Sequence, residues 1–277
     1  KDETVEPTRT FVIPDFLDKI TTTDKLGFAR PPLRGGEIRV VMDPSLDYMT
    51  LGRFSALAGQ QLIATEWVQR ARKNWKNWVV EHGEVPPDDK GAIIGYDVAE
   101  LDSDENALVA RYGKYVAQYH VWRGLDLEES GDRVRGYALE YGRYDHIAVD
   151  SIGVGAGMPH QLRRKGVRSV TGVKVGEKPT TVARDDNGVA IGEFSSLRDQ
   201  LWWQLREWLR LNDDIMLPDD IELEGDLITP VFTHNKGGKI KVQEKDSIRK
   251  VLNRSCNKAD ALALTFATKR RSVLGLV

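Results

Sequence analysis

Ala92-Ile-Ile-Gly-Tyr-Asp-Val98, Asn106-Ala-Leu-Val-Ala-Arg-Tyr112 and Lys114-Tyr-Val-Ala-Gln-Tyr-His-Val-Trp122 follow one another closely and are rich in β-branched, apolar and aromatic residues. Each reads as a strand, and Gly113 between the last two suits a tight turn. Strands this near in sequence pair through hairpins, so the three are expected to be antiparallel. Upstream, Glu84-Val-Pro-Pro-Asp-Asp-Lys-Gly91 carries two prolines and a glycine and reads as a linker. Before it, Thr65 to Val80 reads as a helix, with Trp67, Ala71, Trp75 and Val79 along one stripe and Arg70, Arg72, Lys73 and Lys76 on the rest. That basic face is either solvated or in contact with nucleic acid. Residues 1–35 read as irregular, and Ile38 to Met42 as a short strand.

Downstream, helices alternate with short strands. Val134 to Tyr141 reads as a helix and His146 to Asp150 as a buried strand. A helix from Pro159 to Lys165 ends at the C-cap candidate Gly166, and Val170 to Val175 reads as another strand. Ser196 to Leu211 is the clearest helix, opened by the capping spacing Ser196-x-x-Asp199. Its tryptophans Trp202, Trp203 and Trp208 read as core residues, with base stacking as the alternative. Residues 211–226 hold seven acids and no base, whereas 227–255 are basic. The basic stretch reads as a hairpin around Asn235-Lys-Gly-Gly238, with Lys236, Lys239, Lys241 and Lys245 at its tip and second strand. A short helix over 246–252 and a helix capped by Asn257 over 258–269, apolar nearly all round and so buried, complete the pattern.

Bulk properties exclude little. The net charge of −2 does not announce a nucleic-acid binder, so any such contact must come from local patches. One cysteine, Cys256, rules out a disulfide within the chain and favours a reducing compartment. The polar N-terminus has no apolar core of the kind a signal peptide needs, and no run approaches the ~20 apolar residues of a membrane span. The sequence begins at Lys1, which suggests a fragment or a processed product.

Three acids stand out by position. Asp97 and Asp150 each end an apolar strand, the edge of an open α/β sheet at which ligands bind, and Asp260 opens the buried last helix. A carboxylate at such a place costs desolvation unless solvent or a cation compensates it. For Asp260, attraction to the helix N-terminus is a sufficient alternative. Together the three suggest a site for hard divalent cations, Mg2+ or Mn2+, with two ions able to activate a water and stabilise the leaving oxygen of a phosphodiester. No histidine pair has ligand spacing, and one cysteine cannot build a zinc site. Gly153-x-Gly155-x-Gly157 fails the dinucleotide fingerprint because Met158 and His160 stand where its last glycine should be. Those glycines are expected to let the backbone pass close to Asp150. No phosphate-binding G-x-x-x-x-G-K-[ST] loop is present, so no ATPase motif is found.

Taken in order, Gly95-Tyr-Asp97-Val-Ala, Val149-Asp150-Ser-Ile-Gly153-Val-Gly155, Glu244-Lys245-Asp246 and Ala259-Asp260-Ala261-Leu262 resemble the nuclease domain of large terminase subunits of tailed bacteriophages. Gly52-Arg-Phe54 through Thr65-Glu-Trp67 is similar to the segment joining that family's ATPase domain to its nuclease. The resemblance covers roughly residues 50–270. It implies a ribonuclease H-like α/β fold: a mixed sheet, its first three strands antiparallel, flanked by helices and preceded by a linker segment. It divides the chain into a remnant of the ATPase-to-nuclease connection over 1–90, a nuclease domain over 91–270 and a tail over 271–277. It implies a metal-dependent endonuclease that cuts concatemeric double-stranded viral DNA during packaging. Asp97, Asp150 and Asp260 match the metal-binding acids, with Asp104, or alternatively Asp102, as a further ligand. The hairpin lysines and Lys245 are the expected DNA contacts, through phosphates rather than bases. The implied partners are double-stranded DNA, the terminase small subunit, the packaging ATPase domain and the portal, with no membrane, in the host cytoplasm at the procapsid. Another ribonuclease H-like nuclease, such as a Holliday-junction resolvase, or a catalytically silent DNA-binding assembly module are the alternatives.

Overall fold

A computed structural model describes residues 61–87, 91–99 and 104–267. The segment 1–35, the strand over 38–42, the stretch around Gly52, Asp102 and the tail 271–277 lie outside the described residues.

In chain order the elements are α1 (Thr65–His82), β1 (Ala92–Asp97), β2 (Asn106–Tyr112), β3 (Tyr115–Val116), β4 (His120–Trp122), α2 (Leu127–Glu140) and β5 (Tyr144–Asp150). A 3-10 turn (Gly153–Gly157) leads into α3 (Met158–Arg164), β6 (Val170–Val173), β7 (Ala183–Arg184) and β8 (Ala190–Gly192). Then come α4 (Leu197–Leu211), α5 (Ile221–Ile228), β9 (Phe232–His234), β10 (Ile240–Val242), α6 (Lys245–Leu252) and α7 (Asn257–Leu264).

The central sheet runs β3-β2-β1-β5-β6, with β4 also paired to β2. β1, β2, β3 and β4 pair antiparallel, while β5 and β6 run parallel to β1, so the sheet is mixed as expected. The anticipated third strand is broken at residues 117–119 into β3 and β4, both of which lie along β2. Alternation along β1 sorts its side chains. Ile94 and Tyr96 join a core with Val134, Ala138 and Leu162 of α2 and α3. Gly95 and Asp97 face the other way, toward α7. A Cβ on Gly95 would collide with the carbonyl oxygen of Ala261, so only glycine lets α7 lie this close to β1. Along α7 itself, Ala259, Ala261 and Leu262 are fully buried.

Several local readings needed correction. α2 begins earlier than expected because Asp126 and Glu129 form a reciprocal capping box: the Glu129 N–H donates to Asp126 and the Asp126 N–H to Glu129. In α4, Ser196 does accept from the Asp199 N–H, but the Asp199 carboxylate itself accepts from the Val242 N–H at 2.8 Å and so anchors β10. Asn257 does not cap α7. Its amide donates instead to Asp104 and to the Glu105 carbonyl. The acidic stretch contains the helix α5, capped by Asp220.

The α1 helix packs into this same body. The Trp75 indole donates to the Val116 carbonyl, and the basic face meets the acidic stretch rather than standing free: Arg70 pairs with Asp213, Arg72 with Asp219 and Glu224, and Lys76 with Asp219. Among the described residues no helix is long and apolar enough to cross a membrane.

Candidate metal centre

β1 and β5 lie side by side and parallel, with Tyr96 opposite Val149. The next residue on each strand is therefore Asp97 and Asp150, neighbours at the C-terminal edge of the sheet. α7, admitted by Gly95, brings Asp260 to the same place. The three aspartates line one cavity of about 120 Å³ together with Arg198, Trp202 and Lys245. Gly155 completes the arrangement: a Cβ there would collide with the Asp150 carbonyl oxygen, so the post-strand turn folds tightly under that residue as expected. The Ile152 N–H donates to the Asp150 carboxylate at 3.1 Å and orients it.

The electrostatics of the three acids differ. Burial pushes the Asp97 carboxyl up to about 7, with the negative charges of Asp260 and Asp150 adding to it and Lys245 opposing it. Burial likewise pushes Asp150 up to about 6. Asp260 is buried too, but Lys245, Arg198 and the Trp202 indole overcome that and hold it below the ordinary carboxylate range. The indole donates to Oδ1 at 2.8 Å, and the Cys256 thiol lies 3.5 Å from Oδ2. The Lys245 ammonium stands 3.2 Å from Asp97 and 3.3 Å from Asp260. Burial pulls its proton affinity down, but the two carboxylates overcome that and hold it above an ordinary lysine.

The donor set fits a hard divalent cation. It is all oxygen and acidic, and burial raises the proton affinity of two of its members, Asp97 and Asp150, so that a bound cation competes with protons there. Among the described residues no three ligand side chains already stand close enough to share an ion, and Lys245 occupies the space between two of them.

Asp104 sits apart from this trio. It accepts from Ser255 and from Asn257 at 2.8 Å, and these bonds outweigh burial and hold it below its ordinary value. It borders a second cleft that shares Asp97 and Lys245 with the first, and there it ties the β1–β2 connection to the start of α7. The hairpin lysines are mostly engaged. Lys239 pairs with Glu193 at 2.8 Å and Lys241 with Glu244 at 2.5 Å, whereas Lys236 is exposed with no ion-pair partner among the described residues.

Sequence reasoning missed Arg198 and Trp202 as site residues. Their i, i+4 spacing on α4 marks a shared face, but nothing local shows that this face meets Asp260, 58 residues away.

The architecture aligns with the nuclease domain of the large terminase subunit gp2 of bacterial virus Sf6, at TM-score 0.61 and 25% identity over 75% of this chain and 98% of that one. The chain has the terminase nuclease fold. A lysine-to-alanine variant of the Sf6 domain with manganese and β-thujaplicinol matches at TM-score 0.62, 24% identity, and 75% and 98% coverage. Another, with calcium, matches at TM-score 0.61, 23% identity, and 75% and 99% coverage. No family model and no curated protein matches the sequence. The terminase nuclease fold is ribonuclease H-like, and its sheet edge here carries Asp97 and Asp150, with Asp260 of α7 beside them.

Proposed function

We propose that this chain is a divalent-metal-dependent endonuclease that cuts concatemeric double-stranded viral DNA during genome packaging. The observation that carries the proposal is the meeting of Asp97, Asp150 and Asp260 in one incompletely neutralised pocket of a terminase nuclease fold. The Sf6 domain has been captured with manganese, which supports the same class of ion here. Asp97, Asp150 and Asp260 would hold Mg2+ or Mn2+, two ions in the full reading. Such ions supply Lewis acidity and lower the proton affinity of a bound water.

The chain's own residues do the rest. Asp97 and Asp150, whose proton affinity burial raises, would bind a cation in competition with protons. Trp202 and Cys256 hold the Asp260 carboxylate in place, and Lys245, Arg198 and Trp202 keep it charged before any ion arrives. Lys245 covers the acids until a stronger cation replaces it, and the ammonium of its half-exposed side chain is then free for a phosphate. Lys236, Lys239 and Lys241 would meet the DNA backbone beside the cut. Double-stranded DNA, the small subunit, a packaging ATPase domain and the portal are the proposed partners, acting in the host cytoplasm. Residues 91–270 form the proposed nuclease domain, with 1–90 as its connection to the motor.

The test is cleavage of supercoiled plasmid. Linear product is expected with Mg2+ or Mn2+, none with chelator, and none from an Asp97→Ala, Asp260→Ala double variant. Persistent metal-dependent cutting by the double variant would overturn the site.

A further inference from the structure

Arg198 is the second residue of α4, and its position is a poor one for stability. A cation in the first turn of a helix opposes the helix dipole. Its Nη2 is buried and has no hydrogen-bond partner among the described residues, which is costly for a charged donor. Departures of this kind from local rules concentrate at functional sites. The remaining atoms of the guanidinium are fixed. Nη1 donates to the Gln243 carbonyl at 3.0 Å, Nε lies 3.7 Å from Asp260 Oδ1, and the group sits 5.5 Å from the centroid of the Trp202 ring. Three restraints on one rigid plane hold the guanidinium, and with it Nη2, in one orientation.

The residue also lines the cavity that holds the three aspartates. An anion entering that cavity meets three carboxylates. Before a cation enters, Lys245 is engaged by two of them, which leaves Nη2 of Arg198 as an unpaired cationic donor among the described residues that line the cavity. A planar fork held in place beforehand is the chemistry that recognises a phosphate oxygen, and its orientation is set before the substrate arrives.

We propose that Arg198 is a substrate-contacting residue of the nuclease site, its Nη2 donating to a non-bridging oxygen of the phosphodiester to be cut. The proposal rests on the nuclease reading given above. It differs from a purely positioning role, in which Arg198 acts only by holding Asp260.

The experiment compares wild type, Asp97→Asn, Arg198→Gln and Arg198→Lys on the same linear duplex under single-turnover conditions, with Mn2+ titrated to saturation and thermal melting recorded for each. Wild type is expected to cut and Asp97→Asn is not, which establishes the nuclease reading independently. Arg198→Gln is then expected to cut about 100-fold more slowly at saturating metal and DNA, the scale of losing one preorganised donor. Its half-saturating Mn2+ concentration is expected to match wild type. Arg198→Lys keeps the charge without the fork and is expected to lose about 10-fold, between the two.

Recovery of the Arg198→Gln rate at saturating Mn2+ would overturn the proposal, because it would show that Arg198 acts only through the ligand Asp260. A rate equal to wild type would overturn it as well. Unfolding of both Arg198 variants would make the residue structural and have the same consequence. A wild-type chain that cuts nothing in any metal would remove the nuclease reading and this proposal together.

Discussion

The acidic stretch 211–226 and the aspartate cavity are both clusters of carboxylates, and they are neutralised in opposite ways. In the stretch, all seven acids have a basic partner: Asp213 with Arg70, Asp214 with Lys114, Asp219 with Arg72 and Lys76, Asp220 and Glu222 with Lys258, Glu224 with Arg72, and Asp226 with Arg254. In the cavity, Asp97 and Asp260 share Lys245, and Asp150 has no basic side chain within ion-pair distance among the described residues. The denser cluster in sequence is therefore the quieter one in chemistry. It clamps α1, α5 and α7 together, whereas the sparser cluster retains an appetite for cations.

Exchanging one acid from each cluster should break that contrast most sharply. Asp260→Asn is expected to lower the cleavage rate by about 10³-fold, the upper scale for removing a preorganised charge, with its melting temperature near wild type. Asp220→Asn is expected to leave cutting unchanged. Initial rates and melting curves of the two variants check this, and equal loss of cutting in both would erase the distinction.

The next effect belongs to the paired cluster. Asp226 is fully buried, and burial pushes its carboxyl up to about 7 even against the pull of Arg254. Arg254 also donates to the Glu222 carbonyl at 2.8 Å and to the Ser255 carbonyl at 3.1 Å, so it ties α5 to the chain entering α7. Arg254→Ala leaves a buried carboxylate without its counter-charge, which costs about 3–5 kcal/mol. The loss is expected to be greater at pH 8 than at pH 5, because the stranded group is neutral in the folded state at the lower pH. Urea denaturation at both pH values measures it. A loss below 1 kcal/mol at pH 8 would mean that water already reaches Asp226.

The cavity responds to pH with a defined sign. Asp97 and Asp150 have folded values of about 7 and about 6, above their value in the unfolded chain. Their folded forms hold protons more tightly, so their stabilising contribution is present at low pH and is lost as pH rises from about 4 through 7. A divalent cation replaces those protons. Saturating Mn2+ is expected to raise the melting temperature more at pH 8 than at pH 5.5. A hundredfold excess over Kd contributes about 2.7 kcal/mol, which is on the order of 5–10 °C for a chain of this size. Asp97→Asn should flatten that pH dependence. An equal Mn2+ shift at both pH values would mean that the ion binds elsewhere.

How much of this was legible in the sequence depended on the range of the interactions involved. The strands around Asp97 and Asp150 showed themselves by composition and hairpin spacing, and Asp260 by the apolar helix it opens, because those signals are local. Trp202 was visible only as a core residue and Arg198 not at all, since the meaning of their shared face depends on a helix 58 residues downstream. The acidic stretch showed its charge but not its partners, all six of which lie more than 90 residues earlier or more than 25 later. Asp104 was visible as an acid after the first strand, but Ser255 and Asn257, which occupy both its oxygens, sit some 150 residues away.

The smallest predicted effect carries the same contrast over to the basic hairpin. Lys239 and Lys241 are held by Glu193 and Glu244, and a paired lysine must break its ion pair before it can reach a phosphate. Lys236, at the tip, has no acid to release among the described residues. In the cleavage-dead Asp260→Asn background, Lys236→Ala is expected to weaken duplex binding a few-fold and to reduce the slope of log affinity against log salt by about 0.9, one phosphate contact. Lys239→Ala should change that slope by less, because part of its charge is already spent on Glu193. Fluorescence anisotropy across a salt series separates the two. Identical slopes for both variants would mean that DNA competes the hairpin ion pairs away, and that neutralisation within the free protein does not foretell which lysines touch the backbone.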